Sequence, residues 1–221
     1  MGVLLSAVAV RSDDSDEVVD VLLSVMRSLG HRVEPVLWPD PEAPHGAPSD
    51  VLVGPALSGW VTLTPHYVVP SDALAVELTR RLGTAASAIS VYEDVLWTHQ
   101  LVDRGSEVDR YVNLPDYFGP GEYDDTWTGD AARVAAVVGV DAAELQPYFR
   151  QVSLNRARTR WLKPPKAHPT DTYHLLDGWV VTDLWRRMGI EWPDPGPGTT
   201  RVPLGDAGTD ALSQSLRPVQ P

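Results

Sequence analysis

A chain of 221 residues with Lys+Arg 18 against Asp+Glu 30, net charge −12, and no cysteine can bury a full core without a disulfide or metal staple. The lack of cysteine excludes disulfides, thiolate nucleophiles and cysteine-ligated zinc or iron–sulfur sites. The acidic balance repels a phosphate backbone and an anionic membrane surface, so neither nucleic acid nor membrane is an expected partner. A soluble, cytoplasmic protein is the class that fits. The hydrophobic share of 43%, with Pro 20 and Gly 17, suggests a globular body with loops and a loose tail.

The chain opens on the apolar run 3–10, VLLSAVAV, which reads as a buried strand rather than a signal peptide because no basic residues precede it. Ser12, Asp13, Asp14 and Ser15 offer N-caps, and Val18, Leu22, Val25, Met26 and Leu29 then recur at helical spacing up to Gly30. Residues 31–38 read as a second strand, with Pro35 placing it at an edge or a bulge. A Pro-rich connector covers 39–50. Short strands are expected near 51–53 and over 59–64, and a second helix runs from Ser71-Asp72 to Leu82, stopped by Gly83.

Three strands follow, over 86–92, 95–102 and 106–113, with Asp103-Arg104-Gly105 as a three-residue hairpin loop. Residues 114–128 form an aromatic, acidic loop. Two short helices flank Gly139, a basic stretch covers 151–165, and a last helix spans 179–189. From about residue 194 on, Pro, Gly and Ser without apolar spacing predict a flexible tail. The expected fold is α+β: a mainly antiparallel sheet built from β-α-β and β-α-β-β-β halves, with C-terminal helices. The expected division is a sheet domain over 1–128, a helical extension over 129–193 and the tail over 194–221.

The hairpin gives the sharpest candidate site. A three-residue loop sets His99 opposite Asp109 and Trp97 opposite Tyr111, all on one face. A carboxylate beside an imidazole raises its pKa and orients it as a general base, while a cross-strand charge pair on a solvated face is the plainer alternative. Trp97, Tyr111, Tyr117, Trp127 and Arg110 are the candidate ligand contacts, since Trp, Tyr and Arg are enriched where partners bind. His168, Asp171, His174 and Asp177 fall within ten residues but match no metal-site spacing, so no metal is expected. The basic residues Arg150, Arg156, Arg158, Arg160, Lys163 and Lys166 could hold an anion or pair with Glu122, Asp124 and Asp125. Nucleotide-binding glycine loops, a nucleophile elbow and a metalloprotease helix motif are all absent, so no cofactor is expected.

The stretch Asp109-Arg110-Tyr111…Pro115-Asp116-Tyr117-Phe118-Gly119, with Gly129-Asp130 and Gly178-Trp179…Leu184-Trp185-Arg186-Arg187-Met188-Gly189-Ile190, resembles a group of uncharacterised bacterial, actinobacterial-type proteins without an established activity. The resemblance covers about residues 59–193 and implies no chemistry. The functional expectation is a binding protein that holds a partner protein, peptide or small ligand on an aromatic surface. The alternative is a cofactor-independent cyclase, isomerase or hydrolase of a biosynthetic pathway, using His99 and Asp109.

Overall fold

The computed structural model describes residues 4–37, 50–66, 69–153 and 165–215. In chain order the elements are β1 (Leu4–Arg11), α1 (Ser15–Ser28), β2 (Val36–Leu37), β3 (Asp50–Leu57), β4 (Trp60–Pro65), α2 (Ser71–Leu82), β5 (Ala85–Tyr92), β6 (Leu96–Asp103), β7 (Ser106–Val112), α3 (Ala131–Val138), α4 (Ala142–Leu145), α5 (Val180–Arg187), β8 (Thr200–Pro203) and α6 (Gly205–Ser215). The strands form one sheet in the order β2-β8-β3-β4-β1-β5-β6-β7. The pairs β1–β4, β3–β4, β3–β8 and β2–β8 are all antiparallel. The fold is α+β, as the alternation of elements predicted. Its inner order β3-β4-β1-β5, with α1 and α2 as connections, is a split β-α-β arrangement. Among the described residues no helix is long and apolar enough to cross a membrane.

Local chemistry explains the N-terminal elements. The Asp14 carboxylate accepts the N–H groups of Asp16 and Glu17 at 2.9 and 3.1 Å, capping α1. Val18, Val19, Leu22, Val25 and Met26 form its buried face, each side chain contributing about 1.5–3 kcal/mol. Gly83, at φ +67°, closes α2 through its N–H to the Thr79 carbonyl. The link between β3 and β4 is a two-residue hairpin, Ser58-Gly59, with both φ values positive, the twist that matches paired strands. A bulge between Val53 and Ala56 accommodates Pro55. This lets β3 run eight residues where the pattern suggested three.

The chain groups into two compact units: Ser6–Ala88, Val102–Ser106 and Pro193–Pro221 in one, Met1–Leu5, Ile89–Leu101 and Glu107–Trp192 in the other. The expected break at residue 128 is therefore displaced, because the later helices join β6 and β7 rather than forming an extension. The first unit holds an aliphatic core of Val8, Leu22, Met26, Leu63, Leu74, Leu78 and their neighbours.

The expected tail is also corrected. Residues 200–203 pair with both β2 and β3, Val202 lying opposite Val51, and Val202, Leu204 and Leu212 are buried in that same core. Arg201 and Asp50 form an ion pair at 3.2 Å, both largely buried. Four strand residues are too few to show a period, and their conformation comes from the partner strand. The 38–49 connector, Trp38 included, lies outside the described residues.

Truncation after Pro193 removes β8 and α6, baring the β3 edge and the groups packed on Val202, Leu204 and Leu212. The expected loss is at least about 3 kcal/mol, the sum of several buried aliphatic side chains, read as a lower urea midpoint. An unchanged midpoint would show that β8 adds nothing to the sheet.

Candidate functional site

Tyr92 and Leu96 are joined by Glu93, Asp94 and Val95, and Glu93 and Asp94 both take left-handed φ values of 51° and 61°. Asp103 and Ser106 are joined by only two residues, Arg104 at φ 49° and Gly105 at φ 77°, the signature of a tight primed turn. The expected loop was one residue longer, and a one-residue slip changes which side chains oppose each other. Asn113 fixes the far end. Its N–H bonds the Trp97 carbonyl at 3.2 Å, its side chain accepts the Trp97 N–H at 2.9 Å and donates to the Val95 carbonyl at 2.8 Å.

Trp97 and Tyr111 do meet, with ring centroids 4.9 Å apart, and Phe149 lies edge-on to Tyr111 at 5.0 Å and to His99 at 6.0 Å. All of these side chains are buried, so Trp97 and Tyr111 form interior packing rather than a surface for a ligand. Gly129 admits the clamp: a Cβ there would lie 2.3 Å from Phe149 and 2.9 Å from Tyr111.

The expected His99–Asp109 hydrogen bond is not formed. Asp109 instead accepts the Asp130 N–H at 2.7 Å through Oδ1, and its Oδ2 has no partner among the described residues. Burial pushes the Asp109 carboxyl up to about 6, outweighing the Asp130 N–H bond, and burial pulls His99 down to about 4. An ion pair would shift the two groups in the opposite senses. Trp97 Nε1 and the Tyr111 hydroxyl also lack partners, the Arg150 N–H approaching the latter without hydrogen-bonding geometry. Each such atom costs about 1–3 kcal/mol.

Arg110 and Trp127 occupy each other. The Arg110 guanidinium stands over the Trp127 ring, 5.2 Å from its centroid, between Glu107 at 3.5 Å and Asp124 at 3.6 Å, and donates to the Thr126 hydroxyl. Asp124 pairs with Arg110; Arg156, Arg158, Arg160 and Lys163 of the basic stretch lie outside the described residues.

Tyr117 belongs to an arrangement that the sequence did not reveal. Its ring packs edge-on against Tyr92 at 5.8 Å and Phe118 at 5.1 Å, and Tyr92 and Phe118 are 5.0 Å apart. The Tyr117 hydroxyl donates to Glu93 Oε2 at 2.6 Å. Beneath lies a small core of Leu96, Val112 and Leu114, against which Tyr92 and Tyr117 pack. Phe118 is 52% exposed. Tyr92 lies 25 residues from Tyr117 in the sequence, so only the turn at 93–94 could have signalled the pairing.

The segment with His168, Asp171, His174 and Asp177 holds a buried polar network. Asp171, fully buried at its side chain, accepts the Tyr148 hydroxyl at 2.6 Å and the His168 N–H at 2.9 Å through Oδ2. Its Oδ1 takes Arg187 at 3.1 Å and Arg186 at 3.4 Å. Lys166 donates to its carbonyl at 2.6 Å. Burial opposes ionisation of Asp171, yet the bonds from Tyr148, Arg187 and the His168 N–H outweigh it and hold the carboxyl below its ordinary range. Asp183 accepts the N–H groups of Thr172 and Tyr173 and pairs with Arg186 at 2.8 Å. Guanidinium groups occupy the place a cation would take, and no metal-ligating group of three side chains occurs among the described residues.

Comparison with family models, with curated proteins and with solved structures returns no match.

Two outcomes follow from these electrostatics. Asp109's raised pKa contributes stability that is complete below about pH 4 and is lost as the pH rises through about 6. Asp109→Asn keeps an acceptor for the Asp130 N–H without the buried charge. Relative to the parent chain it should gain about 1–2 kcal/mol between pH 4 and 7, read from urea midpoints across that range; a pH-independent difference would refute the assignment. Asp171→Ala should cost about 3–5 kcal/mol, because Tyr148, the His168 N–H and Arg187 all lose their acceptor. A loss under about 1 kcal/mol in the same melts would show the network to be incidental.

Proposed function

We propose that this chain is an interaction protein that seats a segment of a partner protein on the ledge formed by Tyr92, Tyr117 and Phe118. The observation that carries the reading is Phe118: half of its ring is in water although both tyrosines hold it edge-on. The other exposed large apolar side chains described are the aliphatic Leu4, Leu37 and Leu57, and scattered single residues of that kind are ordinary. A positioned aromatic group is different. It loses little entropy on docking, and covering it supports binding by about 1.5–3 kcal/mol. The ledge lies on a turn and a loop, where binding residues concentrate.

Catalysis through His99 and Asp109 has less support. A general base must reach a substrate proton, and here the imidazole is fully buried while the carboxylate is engaged with Asp130.

A random twelve-residue peptide library displayed on phage, panned against the wild-type chain with counter-selection on Phe118→Ala, tests the reading. Enriched peptides are expected to bind the wild type at least about tenfold more tightly than the variant, as for a hot-spot residue. The variant's melting should be unchanged within about 1 kcal/mol. Enrichment of peptides that bind both proteins equally, or of none, would falsify it.

A further inference from the structure

We infer that α3 is a flap that responds to pH: it is latched to β7 through Asp109, swings about Gly139, and is held less firmly as the Asp109 carboxyl ionises.

The latch is the hydrogen bond from the Asp130 N–H to Asp109 Oδ1, 2.7 Å long. Asp130 is the N-cap of α3, and its own carboxylate accepts the N–H groups of Ala132 and Arg133 at 3.0 and 3.2 Å. Asp109 therefore holds the residue on which the first turn of the helix is built. The chain just before it is set against the same strand, Thr128 bridging Tyr111 and Gly129 lying close to the Tyr111 and Phe149 rings.

The other end of α3 is built differently. Gly139 closes the helix at φ +85°, with its N–H on the Ala135 carbonyl at 2.8 Å, and a Cβ there would meet nothing within 4 Å. A glycine with room around it changes φ and ψ at little cost, as a hinge must. Beyond it, α4 is fastened independently. Glu144 pairs with Arg187 at 2.6 Å, the Glu144 carbonyl meets His168 Nε2 at 2.9 Å, and the Tyr148 hydroxyl donates to Asp171 at 2.6 Å. The face that α3 buries is small: Ala131, Val134, Ala135 and Val138. A short helix with so little apolar surface, between a latch and a hinge, belongs to the class of segments that open locally before the rest.

The charges around Asp109 make the latch depend on pH. Glu107 on its own strand and Asp130 on α3 are both acidic, and the cation that acts on it, Arg133 of α3, is paired with Asp130 at 3.3 Å. On β6, burial pulls His99 down to about 4, so the imidazole is neutral from about pH 5 upward. On β7, burial raises Tyr111 and keeps it neutral as well, and Arg150, after α4, is exposed. Asp109 itself is buried, and its Oδ2 has no partner among the described residues. With α3 closed its carboxyl stands at about 6; opening returns it to water, where 3.8 is the ordinary value. The closed value is the raised one, so closure is firmest below about pH 4 and weakens as the pH rises through about 6.

Native-state hydrogen exchange of the full chain, corrected for the intrinsic pH dependence of exchange, tests this at about pH 5 and about pH 7.5. Protection of the α3 amides from Val134 to Gly139 should fall about tenfold across that interval, the ratio that carboxyl values of 3.8 open and about 6 closed produce. Three amides outside the flap should keep their protection: Gln146 beyond the hinge, bonded to the Ala142 carbonyl at 2.9 Å, and Met188 and Ile190, bonded to carbonyls of α5. Asp109→Asn keeps an acceptor for the Asp130 N–H and has no charge to acquire, so its α3 amides should be equally protected at both pH values. Unchanged α3 protection in the wild type would overturn the inference. So would a fall shared by Gln146, Met188 and Ile190, which would show the whole unit opening together, or a fall that persists in Asp109→Asn. The wild-type comparison decides by itself should the variant not fold.

Discussion

Asp171 holds one half of this protein in shape. A single buried carboxylate joins α4, through Tyr148 just beyond it, to α5, through Arg186 and Arg187, and to the residues before α5, through the His168 N–H. The described residues 165–179 form no helix or strand, so side-chain acceptors join a few backbone turn bonds in setting their course. Asp183 fixes the next residues through Thr172 and Tyr173, and Asp177 caps the approach to α5 by accepting the Trp179 N–H. The segment is thereby delivered to Gly178, which lies on the Glu93–Asp94 turn. The turn positions Glu93, Glu93 accepts the Tyr117 hydroxyl, and Tyr117 sets the angle of Phe118. An exposed aromatic side chain is thus held in place by a buried carboxylate many residues away, through contacts that are individually ordinary.

The same unit contains two polar clusters of opposite character. Around Asp171 every carboxylate oxygen has donors, and low local dielectric strengthens each bond. Around Asp109 the reverse holds: Trp97 Nε1, Asp109 Oδ2 and the Tyr111 hydroxyl are buried without partners among the described residues. The cost of that cluster, about 1–3 kcal/mol for each atom, is carried by the packing of Trp97, Tyr111 and Phe149, whose rings bury a large apolar area. The pKa shifts follow the same division. Asp171 is held below its ordinary range because its donors outweigh its burial, and Asp109 is raised because they do not.

Where the fold was legible in the sequence, short-range chemistry decided it. Asp14 before an apolar helical face, Gly83 and Gly139 after one, and Arg104-Gly105 between alternating runs each act within a few residues. The illegible parts depend on distant partners. Pro55 made β3 look short until the bulge opposite Val61–Leu63 absorbed it. Val202 is a lone apolar residue until it lies opposite Val51. The 103–106 turn was found, but its length was misjudged by one residue, and Asp109 is engaged by the Asp130 N–H, from a loop the register argument did not consider. Of the candidate contacts, Trp97 and Tyr111 turned inward, Arg110 and Trp127 turned to each other, and Tyr117 packs edge-on against the half-exposed Phe118 ring.

That outcome has a physical logic. Trp and Tyr are enriched both in cores and at binding surfaces because each combines a large apolar body with one polar atom, so their presence alone does not separate the two fates. The neighbouring strand residues do. Trp97 and Tyr111 lie on strands, where alternation sends every second side chain into the interior. Tyr117 and Phe118 lie in a loop with Pro115, Gly119, Pro120 and Gly121 around them. There no alternation applies, and the backbone must find its bonds locally, as the Tyr117 N–H does with the Leu114 carbonyl at 3.2 Å. With one tyrosine engaged by Glu93 and Leu114 buried beneath, the chain geometry turns the next ring outward. The exposure of Phe118 is the consequence of its neighbours' being satisfied, which makes it a stable surface feature and not a failure of burial.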